Sequence, residues 1–202
     1  MRSRPEELRL YLSRIAMLVV GIAILLSRSH WEETDEAVAF TLSFFGMIMI
    51  GIASLGRMWC SLYIAGCKDK KLITQGPYSL CRNPLYLFSL IGVIGVGLTT
   101  ETFTFPVLLA ALFGLYYPFV IRGEERRLRD LFGGDYESYV KNVPRLFPTL
   151  RYFSEPQAYS VAPKTYRRHM FSALWFIWAV GIIEVFEGLG EMGIVPTLWA
   201  FY

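Results

Sequence analysis

The chain has 202 residues, of which 54% are apolar and 16% aromatic, and its formal net charge is +3. This apolar content is too high for an ordinary soluble domain, and the length suits one domain. The modest net charge says little about a partner, and we expect no nucleic-acid partner. The three cysteines are odd in number and have no metal-ligand spacing with the two histidines. The sequence therefore predicts neither a disulfide framework nor a metal site.

Five apolar segments approach the length of about 20 residues that a membrane-spanning helix needs. In chain order they are Leu8–Leu26, Ala37–Leu55, Leu85–Thr100, Thr102–Ile121 and Met170–Val185. The first lacks a small-residue cleavage pattern at its end, so it predicts a retained helix and not a signal peptide. The third and fourth are joined by a tight polar link, which predicts a helical hairpin. The fold expected is all-α, a polytopic transmembrane bundle of about five spans.

The charges of the connecting segments predict the orientation of these spans. With the N-terminus inside, segments 1–14, 56–84 and 122–169 hold 19 of the 20 lysines and arginines. The opposite side carries mostly glutamates. By the positive-inside rule, the N-terminus and the two long inner segments are cytoplasmic, and the C-terminus lies on the other side. We expect three regions: membrane helices in 1–56, a cofactor-binding core in 57–150, and an extension with one further span in 151–202.

The first inner segment contains a turn and a helix start. Gly76-Pro77 indicates the turn, and Asn83-Pro84 is typical of the first residues of a helix. The free N–H groups and the positive dipole end of that helix favour a carboxylate or a phosphate, and Arg82 adds positive charge. An ordinary capped helix start with an interfacial arginine explains the same residues.

The second inner segment combines a carboxylate pair with an amphipathic pattern. Leu128, Leu131 and Phe132 have helical spacing, and the glycines from Gly133 onward predict the end of that helix. Glu124 and its neighbour Glu125 either pair with nearby arginines or accept hydrogen bonds from ribose hydroxyls or an ammonium.

Further along, Arg145 lies between two prolines, where it either binds an acidic group or meets lipid phosphates. The run 167–169, Arg-Arg-His, predicts a membrane-surface anchor.

Taken in order, these segments resemble the isoprenylcysteine carboxyl methyltransferase family and the related phospholipid N-methyltransferases. The family pattern is Leu-Val-x-x-Gly-x-Tyr, Arg-His-Pro-x-Tyr, an apolar hairpin, Glu-Glu, Phe-Gly-x-x-Tyr-x-x-Tyr, and a short end with Arg and Pro. The matching residues are Leu72-Ile73, Gly76, Tyr78, Arg82-Asn83-Pro84-Leu85-Tyr86, Glu124-Glu125, Phe132-Gly133, Asp135-Tyr136, Tyr139 and Arg145-Leu146-Phe147-Pro148. The resemblance covers about residues 70–148.

The resemblance implies a membrane methyltransferase that uses S-adenosylmethionine and a lipid-like or prenylated acceptor. The cofactor-binding residues that it implies are Leu72, Ile73, Tyr78, Arg82, Asn83, Pro84, Leu85, Tyr86 and Glu124. Arg145 and Glu125 are the candidate catalytic residues, and Arg122 is a further candidate for the acidic group of the substrate. The expected partners are membrane lipids and a lipophilic small molecule.

One position departs from the family pattern, because Asn83 replaces the usual histidine. Asparagine keeps a donor and an acceptor but does not titrate near neutral pH. If the histidine serves only to bind the cofactor, asparagine can replace it. If the histidine transfers a proton, the mechanism or the substrate differs here. A carboxylate or thiolate acceptor needs no general base, whereas an amine or phenol needs one.

Two other functions fit parts of the same pattern. An NADPH-dependent membrane reductase of the sterol-reductase type would use basic residues such as Lys68, Lys70, Lys71 and Arg82 to bind phosphate. A non-catalytic membrane scaffold would keep the fold without the chemistry, with Asn83 as a sign of that loss.

Overall fold

The computed structural model describes residues 4–67, 70–158 and 160–202, with side chains described from residue 15 onward. The helices are α1 (Arg4–Leu25), α2 (Trp31–Thr34), α3 (Glu36–Ile64), α4 (Pro77–Leu80), α5 (Pro84–Leu98), α6 (Thr104–Asn142), α7 (Pro163–Ala173) and α8 (Trp175–Glu191). Two short strands, β1 (Ser27–Ser29) and β2 (Trp199–Phe201), complete the described elements. The predicted all-α membrane fold is confirmed.

Three helical stretches are long and apolar enough to cross a membrane. They are Glu36–Ile64, Thr104–Asn142 and Pro163–Glu191, and the shorter apolar helices are Ile15–Leu25 and Pro84–Leu98. Each of the five predicted apolar segments lies on one of these stretches, apart from residues at their ends. The protein is therefore a membrane protein built from apolar helices.

The amphipathic segment after the fourth predicted span is a continuation of α6 and not a separate helix. The predicted helix end at the glycines is confirmed, because Gly133 is non-helical, with φ 49° and ψ −120°, and the chain kinks there. This positive φ favours glycine because a Cβ would meet the adjacent carbonyl. The helix resumes after the break and runs to Asn142.

The chain forms two compact units, of which the first comprises Met1–Ile48, Ile94–Tyr116 and Ile177–Tyr202. Its core includes Val20, Ile24, Phe105 and Ile183. Strands β1 and β2 pair in parallel, an element that the apolar pattern did not predict.

In the hairpin between α5 and α6, a Cβ on Gly97 would lie 2.6 Å from the backbone of Pro106. The absent side chain thus permits the close helix packing typical of membrane bundles.

The second unit comprises Met49–Val93 and Tyr117–Phe176 and contains all three inner segments of the motif pattern. Tyr136 and Tyr139, near the end of α6, and Val143, just after it, form a buried cluster there. The turn at Gly76 has φ 60°, and a Cβ at this position would lie 2.2 Å from the ring of Tyr63. Glycine at this turn therefore allows the chain to pass close to α3 before α4 and α5 begin.

Candidate functional site

The second unit contains a cavity of about 480 Å³, a volume within the usual range of small-molecule sites, about 300–1,000 Å³. Its wall is formed by the end of α3, the chain leading to α5, the first turn of α5, the middle and end of α6, and α7. The lining residues are Ile64, Gly66, Cys67, Lys71, Leu72, Ile73, Tyr78, Arg82, Asn83, Leu85, Tyr86, Glu124, Arg127, Leu128, Tyr139, Thr165, Arg168 and His169.

Most residues that the resemblance assigned to cofactor binding lie on this wall. These are Leu72, Ile73, Tyr78, Arg82, Asn83, Leu85, Tyr86 and Glu124. Pro84 is not among the lining residues and is buried at the start of α5. The structure thus brings the separate motifs to one cavity, and their role in binding a cofactor stays a prediction.

Glu124 and Tyr86 form a polar pair on the cavity wall. Tyr86 lies in the first turn of α5, and its hydroxyl donates a hydrogen bond of 2.8 Å to Oε2 of Glu124 on α6. The ring of Tyr86 also packs edge-on against Tyr117, with centroids 5.3 Å apart. These contacts fix the direction of the Glu124 carboxylate, which is half-buried and faces the cavity.

Glu125, the next residue of α6, is the centre of a network of ion pairs and hydrogen bonds. Its Oε1 accepts hydrogen bonds of 3.2 Å from Nε and Nη2 of Arg82 and from Nδ2 of Asn83. Its Oε2 lies 3.1 Å from Nη2 of Arg145. Because guanidinium and carboxylate groups are matched in geometry and charge, this network holds three chain segments together.

The same network attaches the start of α5 to the end of α6. Arg82 donates from Nη1 to the carbonyl oxygens of Val143 at 2.7 Å and Val140 at 3.2 Å. Its backbone N–H donates to the carbonyl of Pro144 at 2.8 Å. Asn83 donates from Nδ2 to the carbonyl of Arg145 at 3.1 Å. The side chain of Asn83 therefore joins segments, while its backbone carbonyl accepts the first hydrogen bonds of α5.

Both candidate catalytic residues belong to this network and not to the cavity wall. Arg145 and Glu125 are brought together as an ion pair, and neither is a lining residue. Their catalytic role stays a prediction, and the contacts described here are structural. Arg122, the further candidate, is exposed, with its guanidinium carbon 5.7 Å from the ring centroid of Phe119.

Two tyrosines on the cavity wall stay protonated at neutral pH. The hydroxyl of Tyr139 donates to the carbonyl oxygen of Tyr78 at 2.6 Å. Burial is the main cause that raises the pKa of Tyr139 and of Tyr78 well above their usual range. Next to them, Tyr136 is 1% exposed, and its hydroxyl has no hydrogen-bond partner in the described part of the chain.

Helix α7 supplies cavity residues that the motif pattern did not identify. Thr165, Arg168 and His169 lie on its cavity-facing side, at positions i, i+3 and i+4. The sequence prediction treated the run 167–169 as a surface anchor and so missed that two of its side chains reach the cavity. Helical spacing alone signals that these three residues share a face, but it does not show what that face meets.

Within the described ranges, no group of three or more histidine, cysteine, aspartate or glutamate side chains is arranged to hold a metal ion. The three cysteines are free thiols, with Cys60 and Cys81 buried and Cys67 half-buried.

Comparison with known proteins gives one family match and several similar chains. A family model described as phospholipid methyltransferase matches residues 12–135. The nickel-cobalt-cadmium resistance protein NccN of Alcaligenes xylosoxydans xylosoxydans is 35% identical over 94% of this chain and 87% of its own length. The cobalt-zinc-cadmium resistance protein CzcN of Cupriavidus metallidurans is 34% identical over 92% of this chain and 84% of its own length.

A weaker similarity covers less of the chain. The protein-S-isoprenylcysteine O-methyltransferase of Schizosaccharomyces pombe is 31% identical over 41% of this chain and 35% of its own length. No solved structure matches the chain.

Proposed function

The chain belongs to the phospholipid methyltransferase family, to which isoprenylcysteine carboxyl methyltransferases are related, and from this premise we propose that it is an S-adenosylmethionine-dependent methyltransferase. The proposed acceptor is a lipid-like or prenylated small molecule with a carboxyl, amine or hydroxyl group. The observation that carries the proposal is the single cavity wall that unites Tyr86 and Glu124 with basic and apolar side chains.

The side chains on this wall suit the chemically different parts of S-adenosylmethionine. Glu124 can accept hydrogen bonds from ribose hydroxyls or from the amino group, and Lys71 and Arg127 can meet the carboxylate. Leu85 and Leu128 offer apolar surface to the adenine ring. When bound, the cofactor supplies an electrophilic methyl group on a sulfonium sulfur. The residues present therefore fit the cofactor that the family implies.

The proposed chemistry needs mainly positioning and the exclusion of water. Methyl transfer is a displacement in line with the breaking bond, so near-attack geometry accounts for much of the acceleration. The Glu125 network keeps the start of α5 fixed relative to the end of α6, and both segments contribute to the cavity. We propose that the cavity opens on the cytoplasmic side, as the charge distribution predicts, and that the acceptor arrives from the bilayer.

Calorimetric titration of the detergent-purified protein with S-adenosylhomocysteine tests this function. We expect saturable binding that weakens at least tenfold in Glu124→Gln, while a parallel titration with NADPH gives no binding. Binding of NADPH alone would identify a reductase, and binding of neither ligand would favour a non-catalytic scaffold. Arg122→Gln is the matched control, since Arg122 lies on the same helix but outside the cavity wall.

We further infer a contribution to metal tolerance, because the two similar proteins that align with most of this chain are named for metal resistance. Growth in nickel, cobalt or cadmium salts can be compared between cells that express the wild-type chain and cells that express Glu124→Gln. Tolerance that depends on Glu124 would connect it to the cavity. Equal tolerance with both proteins would separate metal tolerance from ligand binding.

A further inference from the structure

Helix α7 lies outside the residues that the family model matches, yet it is held firmly against α3 beside the cavity. The backbone N–H of Ala162, at its start, donates to the carbonyl of Ala65 at 3.4 Å. At its other end, Ser54 donates from Oγ to the carbonyl of Ala173 at 3.3 Å. Because these contacts hold both ends of α7, the side chains between them keep a fixed position along α3.

Arg57 adds a third attachment close to the end of α7. Its Nη2 donates to Oγ of Ser172 at 3.1 Å, and its Nη1 donates to Oγ of Ser89 on α5. The guanidinium carbon lies 5.6 Å from the ring centroid of Phe176. Ser172 is three residues beyond His169, so both lie on the side of α7 that meets the rest of the unit. His169 is thereby presented to the cavity by a helix attached at three points.

Most of the other titratable groups on the wall are poorly suited to accept a proton at neutral pH. Tyr78 and Tyr139 have raised pKa values because they are buried, so they remain protonated. Lysine and arginine side chains are cationic there and have no free acceptor.

Glu124 is the remaining carboxylate on the wall, and under the proposed function it holds the cofactor, with the hydroxyl of Tyr86 hydrogen-bonded to it at 2.8 Å. A carboxylate is also a weak base for a phenol or an ammonium, since efficient proton transfer needs a base poised near the working pH. Histidine is the side-chain type that ordinarily exchanges protons between pH 5 and 8. His169 is the histidine on this wall.

We propose that His169 accepts the proton that a hydroxyl- or amine-bearing acceptor loses when it is methylated. This inference rests on the proposed methyl transfer and adds the class of acceptor: one that carries a proton on the atom to be methylated. As the acceptor oxygen forms its bond to the methyl carbon, the bond between sulfur and that carbon breaks and its electron pair stays on sulfur. The O–H proton passes to a ring nitrogen of His169 and then to water.

The first test is spectroscopic and needs no acceptor. The chain has two histidines, His30 and His169, so isotope-labelled imidazole signals are assigned by comparing wild type with His169→Gln. We expect saturating S-adenosylhomocysteine to shift the signals of His169 and to leave those of His30 unchanged, because His169 lines the cavity and His30 does not. Unchanged His169 signals with bound ligand would overturn the proposal.

The second test compares two acceptors with the same ring and tail, 4-dodecylphenol and 4-dodecylbenzoate, in detergent micelles. The phenol must lose a proton and the benzoate has none to lose. His169→Gln should lower kcat for the phenol by roughly 10²- to 10⁴-fold and change kcat for the benzoate by less than about threefold. With the phenol, added imidazole should partly restore kcat of His169→Ala, which a purely structural role would not allow.

The outcomes separate this inference from the proposed function. Equal losses with both acceptors, no loss with the phenol, or no methylation of the phenol by the wild type would each overturn the role of His169. The proposed function itself fails when the wild type does not bind S-adenosylhomocysteine. His30→Gln is the matched control, and it should retain wild-type kcat with both acceptors.

Discussion

Glu124 and Glu125 are neighbours on α6 with different surroundings, so the same substitution should affect ligand affinity at one position and stability at the other. Glu125 is held by Arg82, Asn83 and Arg145 and does not itself line the cavity. Glu124 lies on that wall. We predict that Glu125→Ala lowers the free energy of unfolding, and that Glu124→Ala mainly lowers the affinity for S-adenosylhomocysteine.

The burial of the Glu125 network sets the size of the effect. The side chains of Arg82 and Glu125 are 12% and 16% exposed, and that of Arg145 is 38% exposed. Removing one partner of a buried ion pair costs about 3–5 kcal/mol, because the other charge is left uncompensated. Partial exposure places Glu125→Ala near the lower end, about 3 kcal/mol. Loss of the Tyr86 hydrogen bond in Glu124→Ala should cost only about 1 kcal/mol.

Unfolding in mixed micelles, followed by far-UV circular dichroism, measures the free-energy change of each variant. Calorimetry with S-adenosylhomocysteine on the same preparations measures affinity. We expect Glu125→Ala to weaken binding less than Glu124→Ala does, at a temperature where it is folded, because its carboxylate does not line the cavity. Arg82 and Asn83, which do line it, keep their hydrogen bonds to the carbonyls of Val143 and Arg145. Glu124→Ala should lose at least tenfold in affinity while staying nearly as stable as wild type.

Equal destabilisation by the two substitutions would refute the division between a structural and a functional carboxylate. So would a stable Glu125→Ala protein that has lost ligand binding, because this would place Glu125 in the site. The double variant Glu124→Ala/Glu125→Ala provides an internal check. Its loss of stability should equal the sum of the single losses if the two carboxylates do not share partners.

Three further predictions concern separate parts of the molecule. Tyr86→Phe removes the hydrogen bond to Glu124 and should weaken S-adenosylhomocysteine binding severalfold in calorimetry without changing the fold. Burial raises the pKa of Cys81 to about 11, so its neutral thiol stabilises the fold below pH 9, and this stability is lost as the pH rises through 11. At pH 8, iodoacetamide should therefore label half-buried Cys67 before Cys81, as read by mass spectrometry. Gly97→Leu should prevent closure of the α5–α6 hairpin and abolish folding, measured as loss of a monodisperse peak in detergent, whereas Gly114→Leu should be tolerated because that glycine faces open space.

The sequence predicted the apolar helices well because their signal is local. A membrane requires about 20 apolar residues in a row, and segments such as Ala37–Leu55 carry that pattern without help from the rest of the chain. A helix end can also be a local signal, because the glycines at 133 and 134 predicted a stop and the helix is broken at Gly133. The pattern did not predict the helical stretch that follows, in which Tyr136 and Tyr139 are buried.

Some residues of the candidate site were predictable from their local sequence pattern, and others were not, because their position depends on contacts with distant parts of the chain. The motif residues around Tyr86 and Glu124 were predicted from their order along the chain, and they meet at one cavity. The sequence did not predict that Glu124 lines the cavity and Glu125 forms the ion pairs. Adjacent helix positions face different directions, and only the surrounding residues determine which of the two faces the cavity. His169 was missed because its helix lies outside the motifs and is brought to the cavity by contacts with α3.

The pairing of β1 with β2 affects the order in which the protein is assembled. Ser27 and Trp199 are partners although nearly the whole chain lies between them. During synthesis, β1 emerges directly after α1. Its backbone N–H and C=O groups that pair with β2 remain unpaired until α8 and then β2 have been synthesised. Contacts between residues so far apart in sequence form slowly, and an unpaired strand edge invites incorrect pairing. The small ribbon therefore forms only after α8 has been made, and its formation shows that the helices between β1 and β2 have been synthesised.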